Sequence, residues 1–175
     1  MNTKKQINIF IVEDSKVFTM ALKADIENAF DNMPIKVNLF ETGEACMEEF
    51  KAIKPQVVIL DYHLNSKYPD AMDGIKFLNW VKMEHNDTNV IMLTSEDNIE
   101  IALKSFNHGA SDYVVKTQTT FGKINYSLFN IFKIMEAKRE AKKYKYFLGI
   151  FICLMTLLVA GVIAIQIYAL SILNK

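Results

Sequence analysis

Residues 57–64 read Val-Val-Ile-Leu-Asp-Tyr-His-Leu: four apolar residues, three of them β-branched, run straight into Asp61. An unbroken apolar run of this length is the mark of a parallel strand buried on both faces, because alternation is lost once helices cover each side of a sheet. An aspartate at its carboxyl end sits where parallel α/β sheets place their ligands. Similar short runs occur at Ile7–Val12, Val37–Phe40, Val90–Leu93 and Tyr113–Val115. Between them, stretches with helical spacing cover about 16–30, 44–53, 74–85 and 98–107. Asp14-Ser15 and Thr42-Gly43 offer starts for the first two helices, and Gly109 offers a stop for the fourth. Five strands alternating with helices predict an α/β fold, a doubly wound five-stranded parallel sheet.

Polar residues stand at the carboxyl ends of four strands: Glu13 and Asp14 after the first, Asp61 after the third, Thr94 and Ser95 after the fourth, Lys116 after the fifth. Three carboxylates gathered in one crevice repel one another and push a pKa upward. A hard divalent cation removes that cost, and Mg²⁺ suits a site of few carboxylates completed by water and phosphate oxygens. With Lys116 adding positive charge, the set suits an aspartyl carboxylate attacking a phosphoryl group.

At these residues the chain resembles the receiver (response regulator) family, whose sheet is of the flavodoxin-like type. The resemblance rests on IVEDS (11–15), VVILDYHL (57–64), MDG (72–74), MLTSED (92–97) and GASDYVVK (109–116), and covers roughly residues 6–135. It implies a phosphoacceptor, Asp61, that promotes its own phosphotransfer and is not a turnover enzyme. It implies a Mg²⁺ cofactor held by Asp14, Asp61 and the backbone carbonyl of His63, with Glu13 acting through water. By the same resemblance Thr94 bonds the phosphoryl group, Lys116 pairs with it, and Thr94 and Tyr113 form the switch. The implied partners are a histidine kinase or phosphotransfer protein and a downstream membrane or cytoplasmic protein. Two features depart from the family. Thr117 stands where a cis proline usually follows the lysine, and a cis bond without proline costs about 2.5–4 kcal/mol. The segment NSKYPDA (65–71) also lengthens the loop after Asp61.

Charge is distributed unevenly although the formal net charge is zero. Residues 1–122, the expected receiver core, hold 12 Lys/Arg and 18 Asp/Glu; residues 123–146 hold 7 and 2; residues 147–173 hold none. In the middle stretch Ile124, Leu128, Ile131 and Met135 form one amphipathic stripe, the expected fifth helix. A basic neck follows: Lys138, Arg139, Lys142, Lys143 and Lys145. The uncharged run from Phe147 to Leu173 exceeds the roughly 20 residues that cross a hydrocarbon core. Tyr144 and Tyr146 flank one end and Tyr168 lies near the other, as interfacial aromatics do. The basic neck outweighs Lys175 on the far side, so the expected arrangement is a single pass through the inner (cytoplasmic) membrane, receiver in the cytoplasm and C-terminus outside. The neck also suits contact with anionic lipid, and Ala160 with Ala164 is a small-xxx-small pair compatible with a homodimer.

Two cysteines, Cys46 and Cys153, match no metal spacing and form no disulfide framework. No helix-turn-helix follows residue 122, which argues against nucleic acid as a partner. An aspartyl phosphatase of the haloacid dehalogenase type needs a second aspartate two residues after the first, where His63 stands. The remaining alternative is a phosphorylation-independent scaffold, a pseudoreceiver that recruits partners to a membrane complex.

Overall fold

The computed structural model describes residues 6–64 and 73–173, with side chains as far as residue 161. The long loop 65–71 therefore lies outside the described residues. The chain forms two units, 1–129 and 130–175.

The first unit is the expected α/β domain. In chain order it holds β1 (Ile7–Val12), α1 (Lys16–Ala29), β2 (Ile35–Phe40), α2 (Gly43–Ile53), β3 (Val57–Asp61), α3 (Gly74–Glu84), β4 (Asn89–Thr94), α4 (Ile99–Asn107), β5 (Asp112–Val115) and the opening turns of α5 (Thr120–Leu173). The sheet order is β2-β1-β3-β4-β5, and every pairing is parallel. All five residues of β3 are buried, as its unbroken apolar run requires. Phe10, Phe50, Phe77, Leu78 and Met92 fill one core layer together with the half-buried Trp80. Aromatic rings interlock there, Phe50 against Trp80 at 5.2 Å and Phe77 stacked on Trp80 at 5.6 Å.

Local signals set the helix ends. Ser15 Oγ accepts from Phe18 N at 3.4 Å, and Thr42 Oγ1 from Ala45 N at 3.1 Å. Asp73 caps α3 in the same way, accepting from Lys76 N at 2.7 Å. Gly109 has φ +93°, a conformation that lets the chain leave α4 without a Cβ clash. The differences from expectation are small. β2 begins at Ile35, because its register with β1 pairs Ile7 with Ile35. α5 begins at Thr120, ahead of the apolar stripe. There Thr117 N donates to Thr120 Oγ1 at 2.6 Å and Thr119 N to Thr117 Oγ1 at 3.3 Å, so threonines tie β5 to the helix. Ile124 and Leu128 are fully buried, which makes the first turns of α5 part of the core. Among the described residues no peptide bond is cis, so Lys116–Thr117 is trans.

In the second unit α5 continues as uninterrupted helix to Leu173. It is long and apolar enough to cross a membrane: its most apolar window has a mean hydropathy of 1.8, and none of that window is buried.

Candidate phosphoacceptor site

The site is built where strands end. Asp61 is the last residue of β3, one step further into the sheet than the apolar run indicates, and Thr94 is the last of β4. The strand ends are tied together by backbone bonds that continue past the ladder. Glu13 N donates to Phe40 O at 3.0 Å, Tyr62 N to Leu93 O at 2.7 Å, and Lys116 N to Thr94 O at 2.7 Å. Four strands thus hold the chemistry-bearing residues in register. Behind Asp61, Gly74 N donates to Tyr62 O at 3.1 Å. A Cβ at Gly74 would lie 2.7 Å from the Asp61 carbonyl oxygen and 2.8 Å from Tyr62 Cα, so only glycine fits this close approach.

Glu13, Asp14 and Asp61 place one carboxylate oxygen each within 4.8 Å of one another. Glu13 and Asp61 are buried, at 3% and 4% exposure, whereas Asp14 is half-exposed at the mouth. Lys116 Nζ bridges the buried pair, 2.5 Å from Glu13 Oε2 and 3.1 Å from Asp61 Oδ2. Burial pushes the Glu13 carboxyl above its ordinary pKa, partly offset by the bond from Lys116 and augmented by the Asp61 charge. For Lys116 burial acts downward, but the bond to Glu13 and the charge of Asp61 outweigh it, and its pKa is raised. One cation for two buried carboxylates leaves the cluster short of positive charge. The shortage appears at a named atom: Asp61 Oδ1 is buried and has no hydrogen-bond partner. Hard oxygen donors, excess negative charge and an unpaired carboxylate oxygen fit a divalent cation such as Mg²⁺.

Thr94 is fully buried, and its Oγ1 accepts from Glu96 N at 3.1 Å. Tyr113 points along the β4–α4 loop, donating from its hydroxyl to Glu96 O at 2.9 Å and Asn98 O at 3.5 Å. Burial pushes its phenol pKa upward. The His63 side chain pairs with Glu96 Oε1 at 3.0 Å, turned to the same loop. One residue that sequence reasoning missed is Phe18, whose ring lies 5.3 Å from Lys116 Nζ and packs on Phe121 at 5.5 Å. Its only signal was its place one turn after Asp14 on α1.

The family model for the response regulator receiver domain matches residues 9–122. The chain is 32% identical over 82 residues to the regulatory protein LuxO of Vibrio vulnificus (strain YJ016), an alignment covering 47% of this chain and 17% of that protein. It is 31% identical over 116 residues to a protein-glutamate methylesterase/protein-glutamine glutaminase of Rhodopseudomonas palustris, covering 65% of this chain and 28% of the relative. The matched part is thus well under half the length of these relatives. Among solved structures, the BeF₃-activated receiver domain of DrrB, a Thermotoga maritima protein, superposes with a TM-score of 0.59 at 26% identity, covering 74% of this chain and 99% of that one. The signal receiver domain of a LuxO repressor from Vibrio parahaemolyticus gives 0.63 at 23% identity, covering 78% and 98%, and supports the fold alone.

Proposed function

The chain belongs to the response regulator receiver domain family, and from that premise we propose that it is a membrane-anchored phosphoacceptor, modified on Asp61 in a Mg²⁺-dependent phosphorelay. Receiver domains are signalling phosphoacceptors that meet histidine kinases or phosphotransfer proteins, and they bind Mg²⁺ at an acidic pocket. The observation that carries the reading here is the buried, unpartnered Asp61 Oδ1 beside two further carboxylates and one lysine.

In this reading Asp14 and Asp61 would hold Mg²⁺ directly, the His63 carbonyl would complete the protein ligands, and Glu13 would act through water. Bound there, the cation would supply charge neutralisation for the transferred oxygens. A carboxylate oxygen of Asp61 forms the new bond to phosphorus while the donor's bond to phosphorus breaks. Lys116, already on Asp61 Oδ2, leaves Glu13 to pair with the incoming phosphoryl oxygens. The Thr94 hydroxyl donates to that group, and Tyr113 exchanges its loop contacts for a new position. Output passes by protein contacts from the receiver, and α5 anchors it as a single-pass span with the receiver in the cytoplasm.

Incubation with acetyl phosphate and Mg²⁺ should add one phosphoryl group, lost in Asp61→Asn. Label that persists in Asp61→Asn would refute the assignment. A cellular function retained by that variant would instead favour the phosphorylation-independent scaffold.

A further inference from the structure

The basic neck carries a pattern that neither phosphotransfer nor anchoring uses. Between Lys133 and Lys145 the uncharged residues, apart from Met135, are Ile134, Ala137, Ala141 and Tyr144; every other position is charged. Their spacing of 3, 4 and 3 continues through Leu148 and Phe151, the alternation of a and d positions in a heptad. The side chains are open to a partner: Ile134 is 54% exposed, Tyr144 77% and Leu148 59%, and both alanines are exposed. A topology signal needs basic residues near the membrane but does not need a charge-free seam through them.

The neck helix is also poorly held by its own surface. Its charged i,i+4 pairs, Glu136–Glu140, Lys138–Lys142 and Arg139–Lys143, are all like-signed. Opposite charges meet only at i,i+3, as in Glu140–Lys143. Among the described residues no ion pair engages any of these side chains.

We infer that this seam is the interface of a parallel two-stranded coiled coil between two copies of the chain, running from the neck into the membrane span. The second copy is favoured over another partner on two grounds. With Ile134 and Ala141 at a, and Ala137 and Tyr144 at d, Glu140 falls at g and Lys145 at e. That is the g–e′ relation of parallel strands, and it pairs opposite charges. Lys133 and Lys138′ hold the same relation one heptad earlier with like charges, at the end farther from the span. Finally, two copies anchored by the same span enter the membrane in one direction and at one depth, so parallel alignment in register comes without further cost. Paired alanines at a and d permit close approach of the two backbones. Two heptads are short for a stable coiled coil, so the span must bring the copies together.

The inference rests on the membrane reading above for its orientation, and the experiment separates the two. The full chain with Cys153→Ser carries a single new cysteine: Ala137→Cys and Ala141→Cys on the seam, or Arg139→Cys and Lys143→Cys off it. Native membranes are washed with carbonate, and both fractions are treated with a copper–phenanthroline oxidant. Retention in the pellet tests the span. Crosslinking in whichever fraction holds the chain tests the seam, because seam cysteines in a parallel dimer lie within disulfide reach. The expected result is a crosslinked dimer at 137 and 141 several-fold above that at 139 and 143. The wild-type chain should give no crosslinked dimer, because Cys153 falls at an outward f position. Equal yields at all four positions, a preference for 139 and 143, or no dimer at any position overturns the inference.

Discussion

Lys116 shows how much one residue carries in a site short of positive charge. It is the sole protein cation on Glu13 and Asp61 among the described residues, and both carboxylates are buried. Removing one partner of a buried ion pair typically costs about 3–5 kcal/mol, because the charge left behind is uncompensated. Lys116→Ala should therefore lower the Mg²⁺-free stability of the receiver by about 3 kcal/mol, with saturating Mg²⁺ restoring part of the loss. Thermal melts with and without Mg²⁺ check this; an unchanged Mg²⁺-free midpoint would show that the bridge does not stabilise the fold. Cys46 offers a pH-dependent contrast away from the site. Burial, aided by the Glu49 charge, raises its thiol pKa far above the ordinary 9.0. The unfolded chain loses the thiol proton as pH rises past that value while the folded chain keeps it, so the thiol's contribution to stability is present below pH 9.0 and declines above it. In the Cys153→Ser chain, a thiol reagent at pH 8 should react only on unfolding.

The strands were the most legible elements, because their apolar runs report burial directly. The apolar run Val57–Leu60 reads as a central strand, and all five residues of β3, which ends one residue later at Asp61, are buried. The caps Ser15 and Thr42 were equally readable, since a hydroxyl before an amphipathic run has one common use. The ends set by tertiary contact were not: Ile35 joins β2 because β1 lies beside it, and Phe18 reaches Lys116 only across the fold. Proximity of Glu13, Asp14 and Asp61 followed from topology, whereas the sharing of Lys116 between two carboxylates required coordinates. Gly74 shows sequence and packing acting together. Gly74→Ala places a methyl group against the Asp61 and Tyr62 backbone, which must move. The variant should melt at a lower temperature and accept phosphate more slowly than wild type. Wild-type behaviour in both assays would mean that the close approach of Gly74 is not a tight support for Asp61. Within the sheet, Ile59→Ala should cost about 2–5 kcal/mol, as expected for a fully buried core position.

For the molecule as a whole, an acidic receiver, a basic neck and an uncharged helix follow one another along the chain. If α5 spans the bilayer, its anchoring is apolar, so high salt and alkaline carbonate should leave the protein in the membrane pellet and detergent should release it. Release by salt alone would mean that the neck holds the membrane electrostatically. The central claim is that Asp61, in a Mg²⁺-loaded cluster, is the phosphoacceptor. Borohydride tests this most directly, because it reduces an aspartyl phosphate to homoserine and so marks the modified residue. After incubation of the full chain with acetyl phosphate and Mg²⁺, followed by borohydride and peptide mass spectrometry, homoserine should appear at position 61 and vanish when Mg²⁺ is chelated. Homoserine at position 14, or at 61 irrespective of Mg²⁺, would contradict the account.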